Sequence, residues 1–125
     1  MHEMSIAEEL VRQVTIIAGE NHAQGVSLVE VTAGALRLIE PDAMQAAFAA
    51  ATEGTVVHGA TLVLTEVPAR ARCRSCEREF EIESSTDFTC RACGEADTEV
   101  LEGNEIILQS VEIDAVESDR SGGQQ

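Results

Sequence analysis

All four cysteines of the chain lie between positions 73 and 93, as Cys73-x2-Cys76 and Cys90-x2-Cys93 separated by thirteen residues. A Cys-x-x-Cys pair on a tight turn brings two sulfurs to one side of the backbone. Two such pairs facing each other place four thiolates at the corners of a tetrahedron, a donor set that suits Zn2+ and leaves no open position for catalysis. The spacer is slightly shorter than the common spacing but long enough for a hairpin to return. Gly94 follows the second pair, where a positive φ is commonly required. Two disulfides are the alternative reading of the same four residues. The chain shows no secretory signal peptide, which points to the cytoplasm, where thiols stay reduced and metal binding prevails.

A second constellation opens the chain, as Met1-His2-Glu3. A terminal amine, the amide between residues 1 and 2 and an imidazole in position two close fused chelate rings around a borderline divalent ion. A carboxylate or another backbone nitrogen can complete the set, and nitrogen-rich planar arrangements of this kind suit Ni2+ and Cu2+. Taken alone the tripeptide is a weak signal, since a solvent-exposed terminus can read the same way. His22 reads as a cation near a helix C-terminus, and His58 as a surface residue in a glycine-flanked turn. No Ser/His/Asp, Cys/His or phosphate-loop arrangement is present, so no catalytic residue is assigned.

The elements that must position these residues follow from periodicity. Ser5-Ile6-Ala7-Glu8 reads as a capping box, and Ala7, Leu10, Val11, Val14, Ile17 and Ala18 recur at helical spacing behind it. The helix should fray near Gly19 to Asn21 and end by Gly25, leaving residues 1 to 4 outside it. Val26 to Gly34 is a β-branched strand, and Gly34 to Glu40 a connector. Pro41 opens a second helix with Met44, Ala47, Phe48 and Ala51 as its buried stripe, stopped by Gly54. Thr61 to Val67 alternates as a second strand. Ala71 and Arg72 lead into the first cysteine pair, Phe80 to Ile82 form a short strand leaving it, and Ser84 to Asp87 turn toward the second. Ile106 to Ile113 is a third long strand, expected to present Ile107, Val111 and Ile113 on one face. A lone trailing strand cannot bury itself, so it should return to the first two.

The fold class is therefore α+β, with two helices, a three-stranded sheet and an inserted zinc-ribbon-like module carrying the four-cysteine site. The expected organisation is a domain over residues 1–68 completed by strand 104–115, the inserted module at 69–103, and a disordered tail at 116–125. Composition limits the partners. Net charge is −15 and lysine is absent, which disfavours nucleic acid. No apolar run approaches the roughly 20 residues of a membrane span. With no Trp or Tyr and three Phe, the core must be built from small aliphatic side chains. Of the eight arginines, Arg70, Arg72, Arg74, Arg78 and Arg91 flank the cysteine pairs, as expected if they answer the negative charge of a dication held by four thiolates.

The chain resembles the HypA/HybF family of hydrogenase nickel-incorporation proteins over nearly all of residues 1 to 114. The resemblance is carried by Met1-His2-Glu3 with Ser5, and by Gly34 to Phe48 with Pro41. It continues through Gly54-Thr55 to Gly59-Ala60, the two Cys-x-x-Cys pairs with Gly94, and Gly103-Asn104-Glu105. It implies a nickel metallochaperone, not an enzyme, that binds Ni2+ at its amino terminus and delivers it to nickel–iron hydrogenase and in some organisms to urease. Implied partners are a HypB-type GTPase, the hydrogenase large-subunit precursor, urease accessory proteins and a second copy of the chain. Carried across, His2 is the essential nickel ligand, Glu3 a ligand or orienting neighbour, and Met1 the source of the terminal amine. Glu40 falls where some members place a carboxylate near the nickel, and Cys73, Cys76, Cys90 and Cys93 hold structural Zn2+. Two departures stand out. His58 occupies a position that is acidic in many relatives. Glu77, Arg78, Gly94 and Glu95 surround the cysteine pairs where some relatives have histidines, so a histidine cannot replace a thiolate here. The rival readings are a zinc-ribbon protein-interaction or nucleic-acid-binding module, a rubredoxin-like iron protein, and a metal-dependent hydrolase using His2.

Overall fold

A computed structural model describes residues 2–84 and 86–114. Met1, expected to supply the terminal amine, and the expected tail at 116–125 lie outside the described residues. In chain order the elements are α1 (Glu3–Glu20), β1 (Gly25–Gly34), a 3-10 turn (Ala35–Arg37), α2 (Pro41–Ala51), β2 (Thr61–Val67), β3 (Arg70–Cys73), β4 (Glu79–Glu81), β5 (Thr98–Glu102) and β6 (Ile106–Asp114). They form two three-stranded sheets, ordered β2-β1-β6 and β4-β3-β5. The trailing strand does return. It runs antiparallel to β1, with the Gln24 N–H donating to the Asp114 carbonyl (3.2 Å) and the Gly34 N–H to the Glu105 carbonyl (2.8 Å).

The described residues divide into two compact units, one drawn from residues 2–31, 39–64 and 108–114, the other from 32–38, 65–84 and 86–107. In the first, α1 buries Ala7, Leu10, Val11, Val14 and Ala18, an i, i+3, i+4, i+7 stripe that makes one face of the helix apolar. Across from it, α2 buries Met44, Ala47 and Phe48, and the sheet contributes Val26, Val29, Val31 and Leu62. At its C-terminus α1 closes with two reversed bonds. The His22 N–H donates to the Gly19 carbonyl (3.2 Å) and the Ala23 N–H to the Ala18 carbonyl (2.9 Å), with His22 in the left-handed region at φ 54. This is the helix stop usually taken by glycine.

The second unit is built on β3. Its neighbours pair antiparallel, with Ala71 opposite Phe80 of β4 and Val100 of β5. Ala69, Ala71 and Ile82 form its small core, with Ala35, Leu36, Phe80 and Phe88 packed against them. The backbone approaches closely here. A Cβ on Gly34 would lie 2.0 Å from the Gly103 carbonyl carbon, and one on Gly103 (φ +100) 2.3 Å from the Ala69 Cα. The Leu36 N–H donates to the Gly103 carbonyl at 2.9 Å.

Three expectations are corrected. The capping box at Ser5 is not used. The helix begins three residues earlier, at Glu3, with His2 in place of Ser5 as N-cap and no side-chain cap, and Ser5 is an exposed helical residue. The earlier start is supported by the Ile6 N–H bonding the His2 carbonyl and by a partner for Glu3 described below. Ile107 does not share the buried face with Val111 and Ile113: it is 44% exposed. The inward-facing positions change parity along β6, from Ile106 and Leu108 to Val111 and Ile113, with Gln109 and Ser110 both exposed. Finally, the residues around Arg70 and the segment Thr98–Glu102 are strands, too short and too charged to stand out by alternation.

Candidate metal centres

Both cysteine pairs sit on the same backbone construction. In the first, the Cys73 N–H donates to the Arg78 carbonyl (2.9 Å) and the Glu77 N–H to the Cys73 carbonyl (2.9 Å). In the second, the Cys90 N–H donates to the Glu95 carbonyl (2.8 Å) and the Gly94 N–H to the Cys90 carbonyl (3.0 Å). The fifth residue of each turn has a positive φ, 65 for Glu77 and 79 for Gly94. The requirement read at Gly94 is thus met, and its twin at Glu77 was missed because no glycine marks it. Within each turn an amide points at a sulfur: Cys76 N–H at Cys73 Sγ (3.5 Å) and Ala92 N–H at Cys90 Sγ (3.4 Å).

The four Sγ atoms lie within 4.8 Å of one another, with Cys73–Cys93 at 3.5 Å and Cys76–Cys90 at 3.6 Å. Metal–sulfur bonds of about 2.3 Å in a tetrahedron require sulfurs roughly 3.8 Å apart, so the donor set fits Zn2+. These separations far exceed a disulfide bond of about 2.05 Å, and all four cysteines are free. Backbone N–H groups of Cys93 and Ala92 favour the Cys90 thiolate and pull its thiol down to about 6. The Glu95 N–H does the same for Cys93, but the adjoining sulfurs of Cys73, Cys90 and Cys76, with desolvation, outweigh it and push that thiol up to about 12. Four sulfurs this close cannot all ionise by themselves, and a dication at their centre removes the conflict. When bound, Zn2+ would tie the two turns together and hold their thiolates ionised.

Four of the five flanking arginines pair with carboxylates. Arg70 and Arg72 of β3 and Arg74 just beyond it alternate with the buried Ala71 and Cys73 and pair with carboxylates. Arg70 meets Glu79 and Glu102, Arg72 meets Glu99 at 3.4 Å, and Arg74 meets Asp97 at 2.8 Å. Arg91 pairs with Glu83 at 2.6 Å. They balance the acidic strands beside them.

At the amino terminus, His2 is exposed and adopts φ 59, a left-handed conformation that histidine enters more readily than most residues. Glu3 Oε2 accepts the Glu40 backbone N–H at 2.9 Å, which is the foremost cause holding its carboxyl down at about 2. Glu40 is the N-cap of α2, its Oε1 accepting the Ala43 N–H at 2.8 Å. Glu3 and Glu40 are therefore brought together at the starts of two helices. His22 is at the far end of α1, about 27 Å along an 18-residue helix, and His58 is exposed beyond α2. Among the described residues, only the four cysteines converge as a group of three or more metal-ligating side chains.

The fold and this geometry define a small α+β metal-binding protein with a four-sulfur centre. A family described as hydrogenase/urease nickel incorporation, metallochaperone, HypA, matches residues 1–113. Among named relatives, a hydrogenase maturation factor HypA of Desulfitobacterium hafniense is 37% identical, covering 91% of this chain and 99% of its own length. That of Streptomyces avermitilis is 38% identical, covering 89% and 86%. The solution structure of the nickel metallochaperone HypA from Helicobacter pylori superposes with a TM-score of 0.68 at 25% identity, covering 93% of this chain and all of that one. The chain belongs to the HypA family, the nickel metallochaperones of hydrogenase maturation.

Proposed function

We propose that this protein binds Ni2+ through Met1, His2 and Glu3 and hands it to the nickel–iron hydrogenase large-subunit precursor, working with a HypB-type GTPase. Urease accessory proteins are further recipients in organisms that have them. The observation that carries the site is the junction of Glu3 with the start of α2, beside His2 at the head of α1. Glu3 already lies within reach of the Glu40 segment, so a nickel ion held by His2 and Glu3 would sit against it. Glu40 would join as a ligand by exchanging its bond to the Ala43 N–H for the metal. Nickel is cargo here, so a site completed by ligand exchange suits release better than a rigid cage. The four cysteines hold structural Zn2+ in the inserted module at 69–103, attached to the domain formed by residues 1–68 and 104–115. The protein acts in the cytoplasm, as a carrier and not a catalyst. No helix is long and apolar enough to cross a membrane.

The test is nickel titration of protein with an authentic Met1, beside a form carrying two added residues. The extension turns the terminal amine into an amide, a far poorer donor, while leaving α1 and the cysteines untouched. Nickel affinity should fall at least about tenfold, about 1.4 kcal/mol, with zinc content unchanged. His2→Ala should abolish tight nickel binding. Equal affinity in the extended and native forms removes the amine from the site, and unchanged affinity in His2→Ala removes the site altogether.

A further inference from the structure

The four sulfurs are alike in spacing but not in access. Cys73 is 0% and Cys90 3% exposed, Cys76 is intermediate, and Cys93 is exposed. The flanks of Cys93 are Ala92 and Gly94, both exposed, and a Cβ added to Gly94 would meet no atom within 4 Å beyond its chain neighbours. Arg91 is paired with Glu83 instead of covering the sulfur. A diffusible reagent therefore reaches Cys93 Sγ before any other sulfur of the centre. The Cys73 sulfur lies 3.5 Å from it, across the two turns.

We propose that Cys93 is a modification site for hydroperoxides, with Cys73 as the thiolate that resolves the oxidised sulfur. The inference rests on the four cysteines holding a metal, which keeps Cys93 ionised and nucleophilic. The Cys93 sulfur attacks the outer peroxide oxygen, the O–O bond breaks, and the remaining oxygen leaves with a proton as alcohol or, from hydrogen peroxide, water. Cys93 is now a sulfenic acid. The Cys73 thiolate attacks that sulfur, the S–O bond breaks, and hydroxide leaves as water after taking a second proton. Two electrons pass from the two thiolates to one peroxide, and the product is a Cys73–Cys93 disulfide. With Cys76 and Cys90 left as its only thiolates, the metal is released. Because the bond joins the two turns, it differs from the Cys73–Cys76 and Cys90–Cys93 bonds that sequence proximity favours.

The experiment uses the full chain with its zinc content measured first. Limiting N-ethylmaleimide, followed by peptide mapping, ranks the four thiols. Hydrogen peroxide is then added while a chromophoric chelator reads zinc release, and the disulfides are mapped without reduction. Cys93 should be alkylated severalfold faster than any other cysteine. One zinc should leave per disulfide, the disulfide should join Cys73 to Cys93, and a dithiol with added zinc should restore the starting state. Protein that holds zinc but labels its cysteines evenly, or forms disulfides within each pair, overturns the proposal alone. Protein that holds no metal overturns it together with the metal reading of the cysteines.

Discussion

Glu3 and Glu40 show how one residue can serve a helix start and a site together. The carboxylate of Glu3 sits in the first turn of α1, where the helix dipole favours an anion, and it accepts the Glu40 N–H at the start of α2. Its carboxyl is held down at about 2 in the folded protein, below the ordinary value near 4.3. A depressed folded pKa gives stability that is complete above the unfolded value and lost as pH falls toward the folded one. The tether between the helices should therefore weaken between about pH 4.5 and pH 2. Denaturant titrations of native protein and Glu3→Gln should converge across that window and differ above it, and parallel curves would assign Glu3 no such role. Glu77 makes a different case. It takes a left-handed conformation in a turn whose twin uses glycine, and a residue with a Cβ pays about 1–2 kcal/mol there. Glu77→Gly should therefore leave thermal stability equal or raise it by up to about 1 kcal/mol. Gly94→Ala should lower it by about 1 kcal/mol or more. A loss in both variants would mean that the Glu77 side chain contributes something its backbone strain conceals.

Among the elements, α1 and α2 carry the first unit through small aliphatic surfaces and two large side chains, Met44 and Phe48. Met44 is fully buried, and its flexible thioether adapts to an irregular space. Met44→Ala should cost about 2–5 kcal/mol, read as a lower midpoint in urea with little change in slope. A smaller loss would mean that α2 settles into the cavity. In the second unit β3 and the residue after it do two jobs by alternation: Ala71 and Cys73 point inward, while Arg70, Arg72 and Arg74 point outward to carboxylates of β4, β5 and the turn before β5. Each of those exposed pairs contributes roughly 0.2–1 kcal/mol. They select the register of three short strands more than they hold the unit folded.

At the scale of the molecule, the two units differ in what holds them. The first has a continuous core drawn from two helices and a sheet. The second has three buried core residues and four partly buried neighbours, too little apolar surface to offset the ordering of its chain without a crosslink. Metal binding then supplies most of its folding free energy. Cys76→Ser should expose the amides of Thr65–Ile107 to hydrogen exchange while α1 and α2 stay protected. Equal loss of protection throughout would show that the units fold as one.

Much of this was legible along the chain. The metal centre is a matter of one residue type at four positions in two short spacings, and each turn is closed by bonds within six residues, so local sequence determines it. The buried stripe of α1 and the proline start of α2 are local in the same sense, and so is the need for a returning third strand. What the sequence left open depended on partners far away along it. Ser5-x-x-Glu8 is a sound capping pattern, but the helix starts at Glu3 because the Glu40 N–H, 37 residues on, supplies an acceptor's partner. No local pattern explains why Gly34 and Gly103 are glycines until the fold places the Gly34 backbone against Gly103 and the Gly103 backbone against Ala69. The shift of parity along β6 hides Leu108 and exposes Ile107, although both read alike as apolar strand residues. Periodicity records which side chains share a face, while only the packed chain decides which face meets protein and which backbone donors await a side chain.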